Sequence, residues 1–122
     1  MVPPSKIVAL PLAQETSDVP CDTGRDVVDL TAAFVNAPVD FGNVCHGWDS
    51  KTGKWAPEDA AVERRLAELK CFLADYPGTE CVLVTHGYFI RYLTNDWTNL
   101  EINGKCRYTR LSQNAAVSLM QL

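Results

Sequence analysis

Residues 80–97 read Glu-Cys-Val-Leu-Val-Thr-His-Gly-Tyr-Phe-Ile-Arg-Tyr-Leu-Thr-Asn-Asp-Trp, and this stretch constrains the fold more than any other. Cys81 to Val84 is a continuous apolar run, too short for a helix of its own. Pro77-Gly78 precedes it and Gly87 follows it, so it reads as a buried strand. From Tyr88 to Leu93 the apolar residues Phe89, Tyr92 and Leu93 recur at helical spacing. His86 therefore stands where a strand ends and a helix begins. In an α/β protein that point is the carboxyl edge of the sheet, where ligand crevices form. The first helical turn adds unpaired N–H groups and a positive dipole end, and Gly87 lets a ligand approach the backbone. The order predicts an anion site beside an imidazole. A lone histidine is more often structural; the sequence strand–Thr–His–Gly–helix is what marks this one for function.

The rest of the chain supplies elements around that unit. Lys6 to Leu10 is a strand candidate ended by Pro11, so Glu15 also lies just past a strand. A solvated loop glutamate is the plainer account of Glu15 on these residues alone. Asp18 to Gly24 is rich in turn formers. Arg25 to Val35 predicts a short helix, and Val39 to Val44 follows irregularly. Cys45 to Pro57 reads as a long ordered loop pinned by Trp48 and Trp55, of the kind that walls a pocket. His46 within it is not preceded by a buried strand and is not expected to be catalytic. Pro57 opens the clearest helix, with Glu58 and Asp59 at its positive end. Val62, Leu66, Leu69 and Leu73 form its apolar stripe, with Phe72 beside it. Glu63, Arg64, Arg65, Glu68 and Lys70 form the face expected to meet water. This helix leads directly into the strand at Cys81, a helix–strand unit of the doubly wound kind. Cys106 to Leu111 and Ala115 to Leu122 read as strands, joined through a turn at Ser112-Gln-Asn114. Lys105, Arg107 and Arg110 read as an exposed strand edge.

A chain of 122 residues is long enough for one core, so 1–122 is read as a single domain. Its net charge of −4 speaks against nucleic acid and anionic membranes as partners. It has no apolar run of about 18 residues, hence no expected membrane span. Met-Val-Pro-Pro-Ser-Lys lacks a signal-peptide core, so a cytoplasmic location is expected. Five cysteines, an odd number without a Cys-x-x-Cys pair, read as reduced thiols, with Cys71 and Cys81 in apolar settings. Two histidines without ligand spacing give no expectation of a metal, and no cofactor motif is present.

The run Val-Leu-Val-Thr-His-Gly-Tyr-Phe-Ile-Arg-Tyr-Leu resembles the second-histidine motif of the histidine phosphatase superfamily, the phosphoglycerate mutase-like proteins, in their fungal branch. Leu12-Ala-Gln-Glu15, Pro20-Cys-Asp-Thr-Gly24 and Gly47-Trp-Asp-Ser-Lys-Thr-Gly-Lys-Trp-Ala-Pro57 are similar to further stretches of that branch, in the same order. The resemblance implies an α/β fold: a reduced phosphoglycerate mutase-like sheet flanked by helices and missing the family's first strands. The family opens on an Arg-His-Gly strand whose histidine is phosphorylated, and a second clamping arginine follows. Neither is present here. By position, His86 matches the second histidine and Glu15 the acid that protonates the leaving group. Arg91 matches neither clamp.

Without nucleophile and clamps, the family's phosphatase reaction should be lost by many orders of magnitude. The expected function is a repurposed general acid/base enzyme of isomerase, dehydratase or cyclase type, with His86 and Glu15 as catalytic residues. Gly87, Tyr88, Trp48 and Trp55 are the expected substrate contacts, for a small, uncharged, partly apolar metabolite. The alternatives are an inactive pseudophosphatase, or a half-domain completed by another chain. Loss of the first strands would leave a bare sheet edge, through which a homodimer is expected to form.

Overall fold

The computed structural model describes residues 7–77, 80–95, 97, 106–109 and 116–121. Its architecture is mixed α/β. The elements run β1 (Ile7–Val8), α1 (Val27–Ala33), β2 (Val39–Asp40), α2 (Asp59–Asp75), β3 (Glu80–Thr85), α3 (Gly87–Thr94), β4 (Cys106–Thr109) and β5 (Ala116–Gln121). The strands form two sheets. β1 and β2 pair in parallel, with Ile7 opposite Val39. The second sheet has the order β3-β5-β4. β3 and β5 are parallel, from Glu80 opposite Ala116 to Thr85 opposite Gln121, and β4 returns antiparallel to β5. Among the described residues β3 has a strand partner on one side only. The expected turn at Ser112-Gln-Asn114 lies outside the described residues, as do Lys105 and Arg110.

The core forms where α2 and α3 meet the inner face of β3. Val62, Leu66, Leu69 and Leu73 of α2 are buried with Leu83, Phe89, Ile90 and Leu93, and Phe72 packs against them. The predicted stripe is therefore the buried one, and removing one of these leucines would cost about 2–5 kcal/mol. β3 alternates as a half-buried strand must. Leu83 and Thr85 point inward, while Val82 and Val84 remain 63 % and 45 % exposed. α3 ends at Asn95, which takes the left-handed conformation at φ 53° and stops the helix.

Several expectations need correction. The first strand is two residues long, because Pro11 starts a 3₁₀ turn over Pro11–Ala13. Val39–Asp40, expected to be irregular, is strand β2; two residues are too few for periodicity to register. α2 begins at Asp59 with Glu58 as its N-cap, so Pro57 lies outside the helix. α1 is capped by Asp26, whose side chain accepts the N–H of Val28 at 2.8 Å, yet none of its residues is buried. Its apolar residues are covered only in part among the described residues: Val27 and Leu30 are half-buried and Val28 is 68 % exposed. Cys71 is exposed rather than apolar in setting, because it falls on the outer side of α2. Cys81 is half-buried, and burial pushes its thiol pKa up.

Candidate functional site

Residues 12–15 follow β1 through the 3₁₀ turn at Pro11–Ala13 and belong to no strand, so no ladder pairs their carbonyl oxygens. Each finds a donor on a side chain far away in sequence. Arg65 Nη1 donates to Leu12 O at 3.2 Å and to Gln14 O at 2.7 Å. Thr85 Oγ1 donates to Ala13 O at 2.6 Å. Lys51 Nζ donates to Glu15 O at 2.8 Å. Buried carbonyls without donors are costly, so this arrangement fixes the path of the segment. It also explains two buried cations. Arg65 is 1 % exposed and Lys51 is 7 % exposed. Burial lowers the pKa of Arg65, and the charge of Glu15 opposes that shift. Burial also lowers the pKa of Lys51, with Arg65 adding to the effect and Asp22, Glu15 and Asp18 opposing it. The Arg65 guanidinium lies 4.9 Å from the centre of the Phe89 ring, so it joins the segment to α3 as well.

The run Glu63, Arg64, Arg65 has the appearance of a solvated helix face. Arg64 is exposed, but Arg65 turns into the core because the carbonyls of Leu12 and Gln14 lie there. Neither Arg65 nor Lys51 was legible as a site residue. The one local hint was Arg65 standing next to Leu66, inside the apolar arc of α2.

The segment delivers Glu15 to the start of α3. Glu15 Oε1 accepts the N–H of Phe89 at 3.1 Å, and Oε2 accepts that of Tyr88 at 3.3 Å. The N–H of Thr16 also reaches Oε1, at 2.9 Å. The predicted anion position at this helix start thus exists, and the carboxylate of Glu15 occupies it. His86 is the N-cap of the same helix, and its carbonyl accepts the N–H of Ile90 at 2.9 Å. Its imidazole makes no capping bond. Glu15 does that work from outside the helix, which leaves the ring of His86 for other contacts.

A cleft of about 300 Å³ opens beside this junction, at the carboxyl ends of β1 and β3. Its polar lining includes Gln14, Glu15, Asp22, Thr23 and His86; Leu10, Val44, Trp48 and Val84 are among its apolar walls. Trp48 is locked from two sides. Its Nε1 donates to Arg25 O at 2.9 Å, and its own carbonyl accepts from Gln14 Nε2 at 2.9 Å. Its ring lies directly over Gly24, where a β-carbon would come within 2.1 Å of Trp48 Cη2. Only glycine permits that approach.

The cleft brings together three of the residues singled out from sequence: Glu15, Trp48 and His86. Trp55, Tyr88 and Gly87 are not among its lining residues. Trp55 ends a 3₁₀ turn over Gly53–Trp55, with Lys54 Nζ 5.0 Å from its ring centre. Tyr88 is 57 % exposed and carries the guanidinium of Arg91 over its ring at 4.6 Å. His46 lies on the surface and pairs through Nδ1 with Asp26 Oδ2 at 2.8 Å. Among the described residues no group of three or more His, Cys, Asp or Glu side chains is arranged to hold a metal ion. No helix among them is long and apolar enough to cross a membrane.

Fold and site together define a mixed α/β protein with a partly apolar cleft at the end of a parallel strand. Comparison with protein-family profiles, characterised proteins and solved structures finds no match.

Proposed function

We propose that this chain is an acid/base catalyst of isomerase or lyase type, acting on a small, partly apolar metabolite held in the cleft. His86 carries the proton. Glu15, with both oxygens already accepting main-chain N–H groups, positions α3 and with it the His86 ring. The observation that carries the reading is one cleft lined by Glu15, Trp48 and His86 together, residues far apart in sequence. Of the ionisable side chains, imidazole is the one suited to passing a proton near neutral pH.

The proposal includes descent from the histidine phosphatase superfamily with loss of its nucleophile. The support is the strand–His–Gly–helix junction of β3 and α3, with Glu15 beside it. A cytoplasmic setting fits the free thiols of Cys21, Cys45, Cys71 and Cys81. Pairing of two copies through β3 fits its single strand partner among the described residues and its exposed Val82 and Val84. Sedimentation at micromolar concentration tests that last point, and a monomer would refute it.

The test of catalysis is proton exchange. The chain is incubated in D2O with a panel of small ketones and hydroxyketones, and C–H to C–D exchange is followed by NMR. Exchange with at least one compound, abolished by His86→Gln, is expected. p-Nitrophenyl phosphate should not be hydrolysed. Exchange unaffected by His86→Gln, or absent throughout, overturns the catalytic reading. Binding without turnover is the second reading, favoured by the engagement of both Glu15 oxygens.

A further inference from the structure

We infer that Lys51 is a positioning residue of the cleft: it clasps the loop that carries Trp48 to the carbonyl of Glu15, and so sets Trp48 and His86 relative to one another. Its bearing on catalysis rests on the cleft being the active site, as proposed above.

The first observation is how Lys51 is held. Its backbone takes the left-handed conformation, at φ 56°, which residues other than glycine rarely adopt. Its neighbours pinch the chain there. The N–H of Thr52 donates to Ser50 Oγ at 3.3 Å, and the two hydroxyls are 3.0 Å apart. The apex of this turn sends a lysine inward, to 7 % exposure. Lysine ordinarily stays in water. A strained backbone and a buried cation are two costs at one position, and the contact that offsets them is the bond from Nζ to Glu15 O at 2.8 Å. The charges of Asp22, Glu15 and Asp18 favour the cation there.

The second observation is what the clasp joins. Three residues before Lys51, Trp48 O accepts from Gln14 Nε2 at 2.9 Å. The loop therefore grips the consecutive residues Gln14 and Glu15. Glu15 in turn accepts the N–H groups of Tyr88 and Phe89 at the start of α3, whose N-cap is His86. Lys51, Glu15 and α3 thus form one line of contacts between the two elements that bring Trp48 and His86 to the cleft. Arg65 and Thr85 hold the segment from α2 and β3; Lys51 ties it to the Trp48 loop.

Two substitutions test the clasp. Lys51→Met removes the donor at nearly the same length, and Lys51→Gly removes it while freeing the backbone at this φ. In each variant of the full chain, the Trp48 indole N–H and His86 ring signals are followed by NMR, together with hydrogen exchange of the Phe89 and Leu69 amides. Both ring signals should move. Exchange at Phe89 should speed up about tenfold relative to Leu69, roughly what one lost charge-assisted hydrogen bond supplies. With a compound whose C–H exchange the chain catalyses, kcat should fall about tenfold with KM within about twofold. If Lys51→Met fails to fold, Lys51→Gly decides. Unmoved Trp48 and His86 signals, equal acceleration at Phe89 and Leu69, or failure of both variants to fold overturns the proposal. Ring signals that move in a chain that exchanges no compound leave the clasp standing and overturn the catalytic reading alone.

Discussion

The carboxylate of Glu15 accepts the main-chain N–H of Phe89 at 3.1 Å, so a residue 74 positions upstream caps helix α3. N-caps normally sit at the helix itself, and here His86 holds that place without capping through its side chain. Glu15→Ala should leave the Tyr88 and Phe89 N–H groups without an acceptor and cost about 2–3 kcal/mol; Glu15→Gln, which keeps an oxygen but loses the charge, about 1 kcal/mol. Urea unfolding measures both. A cost below about 0.5 kcal/mol for the alanine variant would mean that the cap contributes nothing.

Arg64 and Arg65 are adjacent, and they should respond to mutation very differently. Arg65→Met strips donors from two carbonyls and removes a guanidinium packed on Phe89. A loss of about 3 kcal/mol is expected. Arg64 makes one exposed contact, from Nε to Ala60 O at 3.4 Å. Arg64→Met should stay within about 0.5 kcal/mol of the unaltered chain. Comparing urea midpoints for the pair checks the assignment of inward and outward faces on α2.

Tyr92 gives a pH signature. Its hydroxyl donates to Asp59 Oδ1, and that bond, with burial and the charges of Asp59 and Glu63 adding to it, pushes the phenol pKa up to about 12. A phenol with a folded pKa above its unfolded value of about 10 stabilises the fold fully below pH 10. That contribution is lost as the pH rises from 10 through 12. The stability difference between the unaltered chain and Tyr92→Phe should therefore shrink over this window. Thermal midpoints measured at pH 9, 10, 11 and 12 read it out, and a difference constant with pH would refute the shift.

Gly24→Ala should displace the Trp48 ring, because its β-carbon would come within 2.1 Å of Cη2 and 2.4 Å of Cζ2. A cost of about 1–3 kcal/mol is expected from forcing the ring aside. The movement should also break the bond from Trp48 Nε1 to Arg25 O and red-shift the tryptophan emission. An unchanged spectrum and stability would place the ring elsewhere in solution.

What was legible in the sequence was what local patterning controls. The change from continuous apolar residues to helical spacing at His86 places β3 and α3 correctly, because both periods are complete within a few residues of the junction. The stripe Val62, Leu66, Leu69 and Leu73 marks the inward side of α2 for the same reason. Val28 on α1 shows the limit. Spacing says which residues share a face, not whether another layer covers that face.

The sequence by itself determined the helix–strand–His–helix unit and an anion position at the start of α3. Only the tertiary structure decided which anion fills it and what holds that anion there. Glu15, Lys51, Arg65 and Thr85 are scattered over the chain, and no spacing rule links them. What links them is that the carbonyls of residues 12–15 and a helix end all require partners. In a folded chain that requirement is met by whichever polar side chains the packing brings within reach.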